Sequence, residues 1–284
     1  MIRKRFYIVV ISLLATSYAF AQANILNASS ADGIGKQSKE KIAADNDKPL
    51  VYGYIDDRDI LWSKVVWEFV DLNQKINLPY YFPIDTSNIS IDRRSLFDTL
   101  LKGIRKGVIK NVYSDSFFTS KITGSEINEK LLDNRIQGDD TIPYTVTTQD
   151  IEGYMIKGMW YFDKRLGELK YRLLALAPMG KDVQAIGTDA DDGELYELFW
   201  VFYPETREIL HAAKVFNPKN VSQPISYDHL LNARRFNAVI VREENVYGNR
   251  KIADYIRGNA LFQLLEADRI KESIRDKEID MWNY

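Results

Sequence analysis

The sequence predicts an α+β fold with a central antiparallel sheet built from hairpins, and with helices before and after the sheet in the chain. The centre of the chain, 151–216, alternates aromatic and aliphatic runs with turn residues, which is typical of strands joined as hairpins. Helical patterns precede and follow this block, without the regular strand–helix alternation of a parallel sheet. An antiparallel sheet is therefore the expected core.

The first residues are typical of a secretory signal peptide. Basic residues at 3–5 precede an apolar run at 6–15, and a small-residue pattern Ala-Phe-Ala ends at Ala21. The apolar run is shorter than the roughly 20 residues that span a bilayer. We therefore expect residues 1–21 to be removed by cleavage between Ala21 and Gln22.

Protein isolated from its native cells should accordingly begin at or near Gln22. The reason is that a signal peptidase cuts after the small-residue pattern once the segment has entered the membrane. Mass spectrometry of the N-terminal peptide measures this directly. An intact Met1, or retention in the inner membrane through this segment, would show that it is an anchor instead.

The remaining chain divides into a leader and one domain. Residues 22–49 are small and polar without periodicity, which predicts a disordered leader, and 50–284 is expected to form a single α+β domain. The chain contains no cysteine, so it has neither a disulfide framework nor a cysteine that could carry a lipid. A net charge of −2 gives no electrostatic footprint for nucleic acid.

The first element of the domain is predicted to be a helix at 59–76. Its polar residues recur at helical spacing in one narrow stripe, namely at Lys64, Glu68, Asp71 and Lys75. The rest of this segment is largely apolar, so the helix would be deeply buried or covered by a partner. Trp67, in its apolar part, is therefore a candidate for a partner contact.

The other elements follow from caps, periodicity and apolar runs. We expect a helix at 93–106 capped by Asp92 and ended by Gly107. The remaining predicted elements are strands at 108–113 and 236–244 and helices at 125–134, 227–235 and 259–284.

Two segments of the centre share one pattern. "MWYFDKRLGELKYRLLALAP" begins at Met159 and "FWVFYPETREILHAAKVFNP" at Phe199, and aligning them without a gap superposes Trp160 on Trp200. Each has an aromatic run, a polar turn and an apolar return, which predicts two hairpins of one sheet with both Trp side chains buried in similar positions. A genuine internal duplication is the alternative.

The C-terminal helix carries two apolar faces that differ in direction. One face is formed by Leu261, Leu264 and Leu265, and the other by Ile270, Ile274 and Met281. We expect the first face to pack on the core of the domain and the second to contact a neighbouring subunit. The alternative is a kink near Asp268 that turns both faces onto the same core.

No pattern in the sequence predicts catalysis, so we expect neither catalytic residues nor a cofactor. The two histidines, His211 and His229, lack the spacing of a metal site and are expected to be structural. The acidic loop Gly187–Glu194 resembles part of a calcium loop, with its glycine one residue early. A solvated acidic loop is the favoured interpretation, and no metal site is predicted.

Several consecutive segments, in order, resemble the GldN/PorN family of gliding-motility and type IX secretion components of Bacteroidota. They are "MWYFDKRLGELKYRLLALAP", "LFWVFYPETREILHAAKVFNPKN", "RRFNAVIVREENVYGNRKIADY" and "IKESIRDKEIDMWNY". The resemblance runs from about Tyr52 to the C-terminus. It carries no catalytic motif over to this chain.

The resemblance implies a non-enzymatic periplasmic subunit at the inner face of the outer membrane. It further implies a large ring formed with an outer-membrane lipoprotein (GldK/PorK-like) and linked to periplasmic motor components (GldL and GldM, or PorL and PorM). Two alternatives remain open, namely a periplasmic hydrolase of glycan or peptide and a cell-wall-binding module.

Overall fold

A computed structural model shows the α+β fold that the sequence predicts. It describes residues 48–84, 93–137, 140–184, 193–215, 217 and 225–282. Within these residues helices pack on a central antiparallel sheet, and two further pairs of strands form small sheets of their own. The predicted signal peptide and the leader up to residue 47 lie outside the described residues.

The strands vary widely in length. They are β1 (Ile60–Asp71), β2 (Val112–Tyr113), β3 (Leu132–Gln137), β4 (Asp140–Thr145), β5 (Ile151–Asp163), β6 (Glu168–Gly180), β7 (Tyr196–Glu197), β8 (Trp200–Phe202), β9 (Lys214–Val215), β10 (Ile225–Ser226) and β11 (Val239–Glu243). The described part of the central sheet has the order β11-β1-β5-β6-β8-β2, and β7 also pairs with β6. All of these pairings are antiparallel.

The hairpin of β5 and β6 is the longest unit of the sheet and confirms the first predicted hairpin. The two strands pair from Asp163 with Glu168 at the turn to Ile151 with Gly180 at the far end. Gly167 closes the turn with a φ of +63°, a conformation that glycine adopts without steric cost.

The helices precede, interrupt and follow these strands. They are α1 (Leu78–Tyr81), α2 (Leu96–Arg105), α3 (Gly124–Leu131), α4 (Tyr203–Ala212), α5 (Tyr227–Asn232), α6 (Ile252–Tyr255) and α7 (Ala260–Trp282). Helix α2 begins later than predicted, because Ser95 is its cap and accepts a hydrogen bond from the backbone N–H of Asp98 at 3.1 Å. Gly107 follows its end with a φ of +68°, as predicted.

Alternate residues of β1 point to opposite faces of the sheet. We call the face that carries Val66 and Val70 the helix face, because α2 to α5 pack on one part of it and α6 and α7 on another. The face that carries Trp67 and Phe69 is the loop face, since the described residues that cover it include the loop at 114–120. Both faces of the middle strands are therefore covered.

The predicted helix at 59–76 is wrong, because most of this segment is strand β1. The four-residue spacing of Lys64 and Glu68 also places both on one face of a strand, where Lys64 meets Glu243 of β11 at 2.6 Å. Burial on both faces removes the polar–apolar alternation by which a strand is usually recognised. Trp67 is buried in this strand and is not part of an exposed helix surface.

The second predicted hairpin is also wrong. Strand β8 ends at Phe202, and Pro204 lies in the first turn of α4, where its missing N–H costs no helical hydrogen bond. Tyr203, Thr206 and Leu210 then follow helical spacing and are buried. The segment "PETRE" is therefore the start of a helix, and the two similar sequences do not form two copies of one structure.

The two tryptophans of these segments consequently have different environments. Trp200 in β8 is fully buried on the loop face, and its indole Nε1 donates a hydrogen bond to Glu197 Oε2 at 2.9 Å. Trp160 in β5 is only half-buried and lies on the helix face, where its ring contacts that of Tyr171. They share one sheet, as predicted, but not equivalent positions.

A buried ion pair holds the middle of the helix face. Glu68 accepts two hydrogen bonds from the guanidinium of Arg234, at 2.8 and 2.9 Å, and a third from the hydroxyl of Tyr171 at 3.1 Å. Burial works against the charge of Arg234, yet the hydrogen bonds and charge of Glu68 raise the pKa of the guanidinium. Both partners of the pair are therefore satisfied by hydrogen bonds inside the fold.

Candidate interaction surface

Helix α7 lies on the helix face and uses one of its sides for that contact. Ala267, Ile270 and Ile274 follow the spacing of a single helix face and are buried against Val66 of β1 and Ile240 of β11. This side of the helix is part of the core of the domain.

Polar contacts fix the helix to the rest of the chain. Lys271 Nζ donates to the backbone oxygen of Ala238 at 3.0 Å, and Gln263 Nε2 donates to the backbone oxygen of Ile256 at 2.8 Å. Because the second contact lies in the first two turns, the start of α7 is attached to the domain as well as its middle.

This placement reverses the predicted use of the two apolar faces. Ile270 and Ile274, the predicted partner contacts, are buried in the core, whereas the leucines that were expected in the core are exposed. Met281, the third predicted contact, is half-buried near the end of the helix. Helix α7 runs unbroken through Asp268 and leaves the leucines exposed, so it does not turn both faces onto one core. The contact with the sheet begins at Ala267, after the leucines.

The exposed start of α7 forms what we call the apolar patch, consisting of Leu261, Phe262, Leu264 and Leu265. Their exposed fractions are 63, 56, 48 and 54 %, respectively. Single exposed apolar residues are ordinary, but a contiguous group of large ones marks an interaction site. The patch is therefore the best candidate interaction surface among the described residues.

A charged cleft of about 310 Å³ lies beside the patch. It is lined by Glu243, Asn245, Tyr247, Arg250, Tyr255, Glu266 and Arg269. Arg269 Nε donates to Glu266 at 2.7 Å, and the hydroxyl of Tyr255 donates to the same carboxylate at 3.4 Å. Burial, reinforced by Glu266, raises the pKa of Tyr255 to about 12. The cleft thus places the ion pair of Arg269 and Glu266 next to the patch.

Comparison with known families now identifies the chain. The family model described as "Gliding motility associated protein GldN" matches residues 55–283, which include the whole central sheet and the apolar patch. The chain belongs to the GldN family. It is accordingly a gliding-motility-associated protein, as the resemblance implied. No curated protein matches it.

In the described part of this GldN-family chain, the residues considered as metal ligands do not come together in a metal site. His211 lies in α4 and His229 in α5, and no group of three or more His, Cys, Asp or Glu side chains in the described ranges could hold a metal ion. Asp189, Asp191 and Asp192 of the acidic loop lie outside the described residues. None of the described helices is long and apolar enough to cross a bilayer.

Trp67, the remaining predicted contact, is not open to a partner in this GldN-family fold. Its side chain is 2 % exposed, and its indole Nε1 donates to Ser116 Oγ at 3.0 Å. Phe117 of the same loop lies over it, with 5.8 Å between the ring centroids. A partner at this position would meet Phe117 first.

Helical spacing contains a signal for the apolar patch. The four residues of the patch lie on the side of the helix opposite to the set Ala267, Ile270 and Ile274, so one sheet can bury only one of the two sets. In contrast, Ala267, Ile270 and Ile274 keep strict single-face spacing, which is the pattern of a helix packed against a sheet.

Proposed function

We propose that this GldN-family chain is a non-enzymatic structural subunit of the type IX secretion and gliding-motility machinery. It acts in the periplasm, at the inner face of the outer membrane, after removal of its signal peptide. There it forms a large ring with a GldK/PorK-like lipoprotein and contacts a GldM/PorM-like component of the motor. The lipoprotein supplies the membrane tether, because the chain has no cysteine that could carry a lipid.

The apolar patch is the observation that carries this proposal. Burial of one large apolar side chain contributes about 1.5–3 kcal/mol, so these four side chains can form the energetic centre of an interface. The neighbouring charged cleft, with Glu266 and Arg269, resembles the polar rim that surrounds such centres. We assign the patch to the lipoprotein.

Replacing Leu264 and Leu265 together by aspartate should abolish co-purification of the lipoprotein while leaving the protein folded. Both side chains are about half exposed, so two carboxylates there remain solvated in the free protein but would be buried in the complex. Pull-down from detergent-extracted membranes measures the association, and circular dichroism reports the fold. The matched control, Glu272→Ala with Arg275→Ala on the same helix, should co-purify normally.

Three outcomes would overturn parts of this proposal. Normal co-purification of the Leu264→Asp, Leu265→Asp variant would remove the patch from the interface. Loss of self-association alone would identify the occupant as a second copy of the chain. Purification of the wild-type protein without any lipoprotein would favour the hydrolase or cell-wall alternatives. The Ile274→Asp variant should lose its folded circular-dichroism spectrum, unlike the variant in the patch, because its carboxylate would be buried in the core.

A further inference from the structure

A row of charged and aromatic side chains crosses three strands of the loop face. Trp67 of β1 pairs in register with Arg242 of β11 on one side and with Lys157 of β5 on the other. Paired residues of neighbouring strands lie on the same face, so the two cations flank one buried indole. We call this row, together with Phe117 above it, the cationic box.

Both cations lie close to both aromatic rings of the box. The guanidinium carbon of Arg242 is 4.5 Å from the centroid of the Trp67 ring and 5.3 Å from that of Phe117. Lys157 Nζ is 5.0 and 4.6 Å from the same two centroids. Rings offset part of the cost of burying a cation, by about 0.5–2 kcal/mol per contact.

What the box lacks, among the described residues, is an ion-pair partner for its two cations. No carboxylate of the described residues lies within ion-pair distance of Lys157 or Arg242. Lys157 Nζ has a hydrogen bond to the backbone oxygen of Ser116 at 2.8 Å, whereas the buried Nε of Arg242 has no hydrogen-bond partner. Burial, together with the charge of Arg242, lowers the pKa of Lys157, although the charges of Glu244 and Asp115 work in the opposite direction. Two like charges thus share a partly dry site in which nearby carboxylates offset the burial only in part.

The loop that closes the box is held rigidly in place. The carboxylate of Asp115 accepts hydrogen bonds from the backbone N–H of Phe117 at 2.7 Å and of Ser120 at 3.0 Å, and from the hydroxyl of Thr119 at 2.8 Å. Although burial works in the opposite direction, these hydrogen bonds hold the pKa of Asp115 below its usual value. The Asp115 carboxylate is therefore committed to the loop.

The rim of the box is apolar and partly open. Phe117 is 47 % exposed, and Val65, Phe69 and Val241 on the same face are half-buried. A polypeptide could therefore place an apolar side chain on this rim while its neighbouring side chain reaches the cations. Free inorganic anions would make no use of the apolar part.

We propose that the cationic box binds an aspartate or glutamate side chain of a partner polypeptide whose neighbouring residues are apolar. The carboxylate would accept hydrogen bonds from the terminal nitrogens of Arg242, since its buried Nε is out of reach, and would offset the repulsion between the two like charges. Such charge-assisted hydrogen bonds are roughly twice as strong as neutral ones. This surface lies on the loop face, whereas the apolar patch belongs to α7 on the helix face.

The test uses a pair of synthetic peptides, Glu-Leu-Glu-Leu-Glu and its glutamine counterpart, and the purified mature chain. We expect the acidic peptide to shift the NMR resonance of the Trp67 indole N–H saturably and the glutamine peptide to leave it unchanged. Replacing both cations by methionine, Lys157→Met with Arg242→Met, should lower the affinity for the acidic peptide roughly tenfold or more, because both of its charge pairs are lost.

A lysine that already has acidic neighbours supplies the matched control. Lys170 on the same face lies 3.9 Å from Asp163 and 3.6 Å from Glu168, so Lys170→Met should leave peptide binding unchanged. The Lys157→Met, Arg242→Met variant should keep the circular-dichroism spectrum of the wild type, so that its loss of binding is not a loss of fold. Equal binding of the two peptides by the wild type, or undiminished binding by the variant, would each overturn the proposal.

Discussion

Replacing Glu68 by alanine is expected to lower the free energy of unfolding by about 3 kcal/mol, the low end for breaking a buried ion pair, because the stranded Arg234 side chain is 26 % exposed and keeps part of its hydration. Arg234 would lose both of its hydrogen bonds to the carboxylate, and the hydroxyl of Tyr171 would lose its acceptor. The guanidinium would remain above the ring of Tyr171, 4.0 Å from its centroid, which offsets only part of the loss. Urea denaturation measures the change.

An exposed ion pair on α7 provides the control for this result. Glu272 and Arg275 are both about two-thirds exposed and 3.9 Å apart, so Glu272→Ala should change the stability by less than about 1 kcal/mol. The double variant Glu68→Ala, Arg234→Ala should lose less stability than the two single variants lose together, because neither charge is left without its partner. A Glu68→Ala protein as stable as the wild type would show that the pair does not support the fold.

The role of Glu68 shows why the first element was mispredicted. A spacing of four residues is about one turn of a helix and also two full pleats of a strand, so the stripe of Lys64 and Glu68 fits both. The remaining clues were the β-branched and aromatic residues of 60–71, which favour a strand. They were outweighed because a strand that is buried on both faces shows no alternation.

Local chemistry predicted other elements well. Glycine conformation and apolar spacing predict the turn at Gly167, the end of α2 at Gly107 and the C-terminal helix. The predicted positions differ from the observed ones by a few residues at most. The second hairpin failed for the opposite reason, since Pro204 is compatible with both a turn and the first turn of a helix. The helical burial of Tyr203 and Leu210 decided between them.

The two candidate surfaces depended on information that one sequence does not contain. Trp67, Lys157 and Arg242 are distant in the chain and meet only through strand register. In the same way, the choice between the apolar faces of α7 depends on where the helix first touches the sheet, at Ala267. Local periodicity identifies that two faces exist, but the position of the sheet decides which of them is buried.

Truncation of Trp200 to alanine should lower the free energy of unfolding by about 3–5 kcal/mol, as for other large side chains removed from a core. Trp200 is fully buried and packs with Met155, Ala175 and Met179 on the loop face. The truncation also removes the donor to Glu197 Oε2. Trp200→Phe, which keeps most of the packing but loses this hydrogen bond, should cost only about 1–3 kcal/mol.

Trp160→Ala is the matched comparison, because the same side chain is removed from a half-buried position on the opposite face. Less apolar surface returns to water there, so its cost should be clearly smaller than that of Trp200→Ala. The urea midpoints of the three variants rank their losses of stability, provided that the slope of the free energy of unfolding against urea concentration is unchanged. Equal losses at Trp160 and Trp200 would support the equivalent positions that the repeated sequence predicted. A tolerated Trp200→Ala would instead place the centre of the core away from β8, which contradicts the packing of the loop face.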